Sequence, residues 1–168
     1  MIQQILSLDQ SITSSLAPLR NALADQFFVF VSFSIFILVI FPLFVYFRKK
    51  NFLVFSQILL GGATAYAISE ILKCVFLRPR PDASDAFSFP SRHVALAFFM
   101  VGILPVNTKY RLALLFWAIL ISFSRIWLSL HWFSDVIGGA VIGILTAYLL
   151  KQEKIEEEIK KTLKRVRR

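Results

Sequence analysis

The stretch FFVFVSFSIFILVIFPLFVYF, residues 27 to 47, carries no charged side chain. A helix of about 20 apolar residues is long enough to cross the hydrocarbon core of a bilayer. So many Phe, Ile and Val residues would suggest strands in a soluble protein, but an open strand edge finds no hydrogen-bond partner in lipid. We therefore interpret this stretch as a membrane-spanning helix.

Four further apolar segments follow the first. Together they predict an all-α, polytopic transmembrane helix bundle of about five spans. The third segment is short and borrows Ser91 to His93 at its start. The predicted spans cover about residues 27–47, 53–72, 94–106, 112–130 and 133–150.

The segment before Asn21 has a different pattern. Its apolar residues recur at roughly helical spacing among polar ones, which predicts an N-terminal amphipathic helix. Two interpretations remain open: this helix lies at the membrane interface, or it packs against the bundle. The apolar positions are Ile2, Ile5, Leu6, Ile12, Leu16 and Leu19.

The composition limits the classes of function. Of the 168 residues, 57% are hydrophobic, and the mean hydropathy is +0.69, which fits a bilayer better than one small soluble core. The net charge of +9 would suggest nucleic acid in a soluble protein, but the cations lie mostly beside apolar runs, so we expect no nucleic-acid partner. The single cysteine, Cys74, excludes an internal disulfide framework, and we see no cleavable signal peptide.

The distribution of Lys and Arg predicts the topology. Basic residues follow the first span, lie between the third and fourth spans, and fill the tail. With five spans, these three regions lie on the same side of the membrane. We expect that side to be the cytoplasmic side of the plasma membrane, with the N-terminus outside. These cations are Arg48, Lys49, Lys50, Lys109, Arg111, Lys151, Lys154, Lys160, Lys161, Lys164, Arg165, Arg167 and Arg168.

The chain is expected to form one membrane-embedded domain, residues 1–150, followed by a basic cytoplasmic helical tail, residues 151–168. In the tail, an apolar stripe fits either a helix on the anionic inner leaflet or a solvated helical extension. The stripe consists of Ile155, Ile159 and Leu163. The predicted i, i+4 ion pairs are Glu156 with Lys160 and Glu157 with Lys161.

The loops predicted to face outward also carry cations, against the usual bias, which calls for a local reason. After Lys73, the first loop contains Arg78-Pro79-Arg80-Pro81, whose prolines end the helix and leave an extended stretch at the membrane surface. Cations there either bind lipid headgroups or form a phosphate clamp, in which Arg supplies a planar fork and Lys a point charge.

The segment Ser88-Phe89-Pro90-Ser91-Arg92-His93 stands directly before the third apolar segment. Ser91 is suited to cap the helix that begins there. A helix N-terminus also presents free N–H groups and a partial positive charge, so the same turn is suited to bind an anion. His93 falls in the first turn of this helix.

The second outward loop follows Ser124 and Arg125 and contains His131. His131 and Asp135 are four residues apart and share one face of a helix. A carboxylate on one imidazole nitrogen fixes the tautomer and leaves the other nitrogen free to attack. The chain has only two histidines, His93 and His131, and both fall in segments rich in Arg and Ser.

These residues suit phosphoryl transfer. The group in transfer carries negative charge on three oxygens, which clustered cations stabilise. The reaction also needs a nucleophile in line with the leaving oxygen and a proton donor on that oxygen. Two histidines are sufficient for these two tasks.

In order and spacing, three segments resemble the signature of the type 2 phosphatidic acid phosphatase (PAP2) family, and within it the small bacterial undecaprenyl diphosphate phosphatase branch. The resemblance implies a lipid phosphatase that needs no metal and no cofactor. A core of five spans departs from the six helices common in the family, and the N-terminal helix is the candidate to substitute for the first. The three segments are Lys73 with Arg80-Pro81, then Pro90-Ser91-Arg92-His93, then Ser124-Arg125 with His131 and Asp135.

The resemblance further implies roles for individual residues. His131 attacks phosphorus and becomes a phosphohistidine, Asp135 orients His131, and His93 protonates the leaving oxygen. A zinc site formed by the histidines with Asp82 and Asp85 is an alternative, but the cations around them argue against a metal ion. The residues implied to hold the phosphoryl oxygens are Lys73, Arg80, Ser91, Ser124 and Arg125.

Arg92 departs from the family pattern, which has Gly at this position, or Asp in the undecaprenyl diphosphate phosphatase branch. Gly lets the backbone approach phosphate closely, whereas Arg adds bulk and positive charge. We predict that Arg92 binds the second phosphate of a diphosphate. The alternatives are a side chain in solvent, an ion pair with Asp82 or Asp85, and altered or lost activity.

The expected substrate is undecaprenyl diphosphate, hydrolysed to undecaprenyl phosphate and phosphate. Phosphatidylglycerophosphate, phosphatidate and lipid A are alternative substrates. A different class of protein, a transporter or a lipid-headgroup sensor, would lack the nucleophile or part of the clamp. Every such residue is present in this chain.

Overall fold

The computed structural model describes residues 2–166, and the regular secondary structure within them is all helical. A short 3₁₀ turn, Ala17–Leu19, follows the first helix. The predicted all-α fold is confirmed. In chain order the helices are α1 (Ile2–Leu16), α2 (Ala22–Arg48), α3 (Phe52–Phe76), α4 (Arg92–Ile103), α5 (Thr108–Trp127), α6 (Phe133–Leu150) and α7 (Glu153–Val166).

Four of the described helices are long and apolar enough to cross a membrane: α2, α3, α5 and α6. Their exposed side chains are large and apolar, as contact with lipid requires. This surface is that of an integral membrane protein. On α2 alone the exposed residues include Phe30, Phe33, Ile37, Phe41 and Phe44.

The third predicted span is not a full-length span. α4 has 12 residues, or about 18 Å of helix, against a hydrocarbon core of about 30 Å. It ends at Ile103 because Pro105 lacks an N–H and restricts Leu104 to extended backbone. α4 is instead the central helix of the bundle, and it buries Val94, Ala95, Ala97, Phe99, Met100 and Ile103.

Glycines let α4 and α6 pack closely side by side. A Cβ added at Gly143 would lie 2.2 Å from the Ala95 carbonyl oxygen and 2.7 Å from the Phe99 amide nitrogen. A Cβ added at Gly139 would lie 2.4 Å from the carbonyl oxygen of Ser91. This contact holds the start of α4 beside the start of α6, and candidate site residues lie at both helix starts.

Replacing Gly143 with alanine should destabilise the fold by about 1–3 kcal/mol, because backbone atoms of α4 must move to admit the methyl group. Gly62→Ala is a matched control, since its added Cβ would meet its neighbours at 3.9 Å, an ordinary contact. Thermal unfolding midpoints in detergent compare the two variants. A midpoint for Gly143→Ala at or above that of wild type would contradict the close packing.

α3 carries Lys73 to one end of the bundle. Asn51 caps the start of α3 by accepting a hydrogen bond from the Val54 N–H at 3.3 Å. After Phe76 the chain leaves the helix at Leu77, whose φ of 44° is left-handed, and Pro79 prevents continuation. The helix therefore runs a turn beyond the predicted end near residue 72, so that Lys73 is a buried helical residue and not the start of the loop.

α1 packs on the bundle at the same end. Ile12 and Leu16 contact a buried cluster of Val94, Ile126 and Val136. Other apolar residues of α1 are exposed. The two interpretations of the N-terminal helix thus apply to different faces: one packs on the bundle, and the other is suited to the membrane interface. The exposed apolar residues include Ile5, Leu6 and Leu8.

The tail helix α7 folds back on α3. Gln57 of α3 donates a hydrogen bond from Nε2 to Oε1 of Glu156 at 3.2 Å. The predicted apolar stripe lines a shallow cavity together with Ser56 and Leu60 of α3. The stripe is therefore partly covered by the bundle and does not face only lipid or solvent.

Ion pairing in the tail differs from the prediction in one place. The Glu156–Lys160 pair is present at 3.6 Å, but Lys161 pairs with Glu158 at 2.8 Å, not with Glu157. Residues three and four apart are both neighbours on a helix surface, so Lys161 has a choice of partners. The tail cations at 154, 165, 167 and 168 lie outside the side chains that the structure describes.

Candidate active site

The three predicted segments meet at one end of the bundle, where α3 and α5 end and α4 and α6 begin. The α3–α4 loop folds against the α5–α6 loop. The Asp82 N–H donates to the Ser129 carbonyl at 3.2 Å, and the Ser91 N–H donates to the Asp135 carbonyl at 3.0 Å. Lys73, from the last turn of α3, reaches the same end. The structure thus brings together residues that are far apart in the sequence.

His131 is 1% exposed and lies in the short loop between α5 and α6. Its Nδ1 is 2.7 Å from the backbone carbonyl oxygen of Ser88. A carbonyl oxygen only accepts hydrogen bonds, so Nδ1 carries the proton. The other ring nitrogen, Nε2, then has the free lone pair that a nucleophile needs.

The protonation state of His131 supports the same conclusion. Burial, together with the nearby charge of Arg125 and against the opposing effect of Asp135, lowers the pKa of His131 to about 4. The imidazole is therefore neutral at pH 7, with its Nε2 lone pair available.

Asp135 does not hydrogen-bond His131 directly, so its predicted orienting effect on the ring would have to pass through another group. Its Oδ2 lies 3.7 Å from Nδ1 of His131, beyond hydrogen-bond distance. Asp135 stands in the first turn of α6, where Oδ2 accepts the backbone N–H of Trp132 at 2.8 Å and the hydroxyl of Ser88. This capping geometry directs the carboxylate toward Ser88. The carbonyl of Ser88, and not Asp135, accepts the Nδ1 proton of His131.

Lys73 and Arg80 each pair with a carboxylate of their own segment at this end. Lys73 is 4% exposed, and its Nζ lies 2.9 Å from Oε1 of Glu70, one turn earlier on α3. The Nε of Arg80 donates to Oδ1 of Asp85 at 2.7 Å within the α3–α4 loop. Each ion pair holds a long side chain in place at the end of the bundle where the two histidines lie.

Three buried polar atoms in the described part of the site have no hydrogen-bond partner: Oγ of Ser91, Nδ1 of His93 and Nε of Arg125. Arg125 is otherwise fixed through Nη1, which donates to the hydroxyl of Ser32 on α2. Leaving a buried polar group unpaired costs about 1–3 kcal/mol. A polar ligand bound at these atoms would supply the missing partners.

The two predicted serines behave differently. Ser91 is the N-cap residue of α4, but its side chain makes no capping hydrogen bond, contrary to one expectation. Its hydroxyl is left to a ligand instead. Ser124 is buried and donates its hydroxyl to the Ile121 carbonyl at 2.6 Å on its own helix. The Ser124 hydroxyl would have to rotate away from that carbonyl to donate to a phosphate oxygen.

Arg92 pairs with neither Asp82 nor Asp85. Its Nη1 lies 3.2 Å from Oε1 of Glu70 and 3.3 Å from the hydroxyl of Tyr66, and its guanidinium stands over the Tyr66 ring at 5.6 Å. Both partners are on α3, which lies beside the start of α4. Glu70 therefore bridges the cations of Arg92 and Lys73.

A groove of about 710 Å³ opens onto this cluster. Arg92, His93 and Arg125 line it at one end, and along α2 its lining runs from Val29 to Leu43, about 21 Å of helix. The rest of the lining is mostly apolar. A polar end joined to a long apolar groove suits a molecule with a charged headgroup and a hydrocarbon chain. A second apolar groove, of about 620 Å³ between α2 and α5, contains none of the predicted site residues.

Four residues of this region were not predicted as site residues: Asp9, Glu70, Arg78 and Ser88. Arg78 bridges Asp9 of α1 and Asp135 of α6, at 2.6 Å from each carboxylate. The sequence does contain one signal for two of them: Asp9 and Glu70 are charged residues among apolar ones, where an unpaired charge is costly in free energy. Spacing alone does not reveal their partners, which lie on other helices.

The described residues contain no group of three or more His, Cys, Asp or Glu side chains arranged to hold a metal ion. Asp85, part of the alternative zinc site, pairs with Arg80. The cations Lys73, Arg92 and Arg125 stand nearer the histidines. The donor set fits an anion better than a cation.

The sequence and the fold both match proteins of known class. The PAP2 superfamily matches residues 54–154. Phosphatidylglycerophosphatase B of Bacillus subtilis (strain 168) is 27% identical, over 90% of this chain and 87% of its own length. Undecaprenyl-diphosphatase BcrC of the same strain is 32% identical, over 56% of each chain. The crystal structure of Aquifex aeolicus LpxE has a TM-score of 0.68 and 29% identity, covering 86% of this chain and 92% of that one.

The matched residues cover more than half of the chain and contain the whole segment from Lys73 to Asp135. Two of these relatives are named as phosphatases of lipid phosphates. The helical bundle also resembles the crystal structure of a transmembrane PAP2 type phosphatidylglycerolphosphate phosphatase from Bacillus subtilis, with a TM-score of 0.68 and 26% identity over 88% of this chain and 85% of that one. This chain therefore belongs to the PAP2 superfamily and is an integral membrane lipid phosphatase.

Proposed function

We propose that this protein hydrolyses undecaprenyl diphosphate to undecaprenyl phosphate and phosphate, through a phosphohistidine on His131. The observation that carries the proposal is the pair of unpartnered atoms on His93 and Arg125 at the end of an apolar groove, with a third, Oγ of Ser91, at the adjoining start of α4. A phosphoryl group has several acceptor oxygens and negative charge, so it satisfies these groups together. The neutral imidazole of His131 supplies the nucleophile at the same end of the bundle.

In the first step, Nε2 of His131 bonds to phosphorus while the bond from phosphorus to the leaving oxygen breaks. His93 gives a proton to that oxygen. Burial and the charge of Arg125 lower the pKa of His93 to about 2, so its protonated form depends on the negative charge of the bound phosphate. In the second step His93 takes a proton from water, which attacks phosphorus, and the P–N bond breaks to release phosphate. Lys73, Arg80 and Arg125 stabilise the charge that spreads over the phosphoryl oxygens, assisted by the hydroxyls of Ser91 and Ser124.

Asp135 acts on His131 in two ways in this mechanism. Through Ser88 it fixes the carbonyl that accepts the Nδ1 proton. Its Oδ2, 3.7 Å from Nδ1, also faces the positive charge that the ring acquires when phosphorus bonds to Nε2. The carboxylate is therefore a positioning and electrostatic group, and it takes no proton itself.

Arg92 supports a diphosphate as the substrate. In a lipid diphosphate the terminal phosphate is transferred, and the proximal phosphate stays with the lipid on the groove side. Arg92 lines that groove beside His93. Its bond to Glu70 keeps the guanidinium at the groove wall, where it is available to the proximal phosphate.

Phosphatidylglycerophosphate is the second candidate, favoured by the likeness to phosphatidylglycerophosphatase B over 90% of this chain. Phosphate release by the purified protein in detergent, with EDTA present, compares this lipid with undecaprenyl diphosphate. A higher kcat/KM on undecaprenyl diphosphate supports the first proposal. A higher kcat/KM on phosphatidylglycerophosphate replaces it with the second.

Replacing Arg92 with glycine should lower kcat/KM on undecaprenyl diphosphate about 10- to 100-fold more than on undecaprenyl phosphate, because only the diphosphate loses a charged contact. Arg92→Lys keeps the charge and should retain part of the preference for diphosphate. Equal losses on the two lipids would show that Arg92 does not read the second phosphate.

We also propose that the site faces outward across the plasma membrane, and that residues 1–150 form the phosphatase domain while the tail lies in the cytoplasm. The support is the distribution of charge. Lys49 and Lys50 share a surface cavity with Lys160 and Lys164, so the basic loop and the basic tail lie together at the end of α3 away from Lys73. A cluster of cations of this kind favours the cytoplasmic side.

A further inference from the structure

A buried series of charges connects α1 to α6. Asp9 of α1 is 1% exposed, although it lies in a helix with one exposed face. Its Oδ2 is 2.6 Å from Nη2 of Arg78. Ser134, at the start of α6, donates to the same carboxylate from its backbone N–H at 2.9 Å and from its hydroxyl at 2.6 Å. Every strong contact of Asp9 is thus with a residue next to the site.

Arg78 carries the connection from Asp9 to Asp135. Its Nη1 lies 2.6 Å from Oδ1 of Asp135, while Nη2 holds Asp9. One guanidinium thus uses both arms of its fork to join two carboxylates from different helices. It also stands over the ring of Trp132, at 5.6 Å from the ring centroid, so its plane is held as well.

The connection ends at His131. Asp135 accepts the hydroxyl of Ser88, and the carbonyl of Ser88 accepts the Nδ1 proton of His131 at 2.7 Å. Ser88 also donates its backbone N–H to the Arg78 carbonyl at 2.9 Å. The position of Ser88, which sets the tautomer and the direction of Nε2, therefore depends on Arg78 and Asp135 together.

We infer that Asp9 is a positioning residue for the nucleophile, acting through Arg78, Asp135 and Ser88. Without the charge of Asp9, Arg78 retains one carboxylate where it had two, and its guanidinium is free to shift toward Asp135. The shift disturbs the bond between Asp135 and Ser88 and so the direction of Nε2. α1 is then part of the support of the active site. Asp9 lies outside residues 54–154, so the family match assigns it no role.

The inference rests on the proposed role of His131, and kinetic constants test it. Asp9→Asn should lower kcat about 10- to 100-fold, the loss expected when a reacting group is misdirected. KM should stay within about twofold of wild type, because Asp9 touches no substrate in the proposed site. Asp25→Asn is a matched control: Asp25 pairs with Arg20 at 3.0 Å and accepts a hydrogen bond from Trp127, but it contacts none of Arg78, Asp135, Ser88 and His131, so the variant's kcat should stay within about twofold of wild type.

A double-mutant cycle distinguishes this pathway from general damage. Asp9→Asn and Arg78→Gln act through one connection, so the double variant should be no slower than the slower single variant. A double variant whose loss in kcat equals the product of the two single losses would overturn the inference. If Asp9→Asn fails to fold, Arg78→Lys tests the same connection, since it keeps the charge but loses the fork. It should lower kcat at constant KM, and a wild-type kcat would overturn the inference.

The same kinetic measurements distinguish failure of the proposed function from failure of the role of Asp9. If the wild type releases no phosphate, or if His131→Ala remains active, the proposed function fails. If the wild type is active, His131→Ala is inactive and Asp9→Asn equals wild type, then only the role of Asp9 fails.

Discussion

Replacing His131 with alanine should lower phosphate release by at least about 10⁴-fold, the scale of loss seen when a covalent nucleophile is removed. In His131 the Ser88 carbonyl holds the proton on Nδ1, so the lone pair of Nε2 is free to attack. No other side chain in the described part of the site is a neutral nucleophile fixed in this way. The measurement is phosphate release from undecaprenyl diphosphate in detergent, with EDTA present.

The clamp gives this variant an internal control. Lys73, Arg80 and Arg125 remain in place when the ring is removed, so His131→Ala should still bind vanadate, an oxyanion like phosphate. Retained binding with lost turnover separates chemistry from folding. Turnover above about one hundredth of wild type would mean that water or another group attacks phosphorus, and the phosphohistidine proposal would fail.

Replacing His93 with alanine should lower kcat on the lipid substrate about 10²- to 10⁴-fold, the usual contribution of general acid–base catalysis. The proposed acid matters most with a lipid monophosphate, whose alkoxide leaving group departs poorly as an anion, whereas the proposed base of the second step is needed for every substrate. An aryl phosphate with an acidic phenol needs little protonation. With that substrate, His93→Ala should still give a rapid burst of phenol, followed by slow turnover, because the second step still lacks its base.

The burst is the informative part of this measurement. Its rate in His93→Ala should be within about tenfold of wild type for the aryl phosphate, while the steady rate falls with that of the lipid. An equal loss of the burst for both kinds of leaving group would place His93 in phosphate binding and not in proton transfer.

The sequence predicted the helices well where apolar length decides them. α2, α3, α5 and α6 follow the predicted segments closely, because lipid rewards long apolar helices in any tertiary setting. α4 is shorter at its C-terminal end than the predicted third segment, about residues 94–106, because the helix ends at Ile103. Its apolar residues face protein on all sides, and a buried helix and a spanning helix have the same composition.

The site was predicted as a set of residues but not as a set of contacts. The predicted residues do meet at one end of the bundle, because each lies near a helix end that the topology places there. The partners of Asp135 and Arg92 were not predictable, since Ser88, Arg78 and Glu70 reach them from other elements. A four-residue spacing indicates a shared helix face, but His131 precedes α6 and lies in the loop, so the spacing gave no hydrogen bond.

The most direct test of the central claim is to quench His93→Ala under alkaline conditions during turnover of undecaprenyl diphosphate, and to locate the phosphate by mass spectrometry. Phosphohistidine survives alkali, and loss of the proposed base should make it accumulate. The proposed mechanism predicts phosphate on the imidazole ring in the peptide that contains His131. It predicts no labelled peptide in the His131→Ala, His93→Ala double variant. Phosphate on another residue, or equal labelling of the double variant, would contradict it.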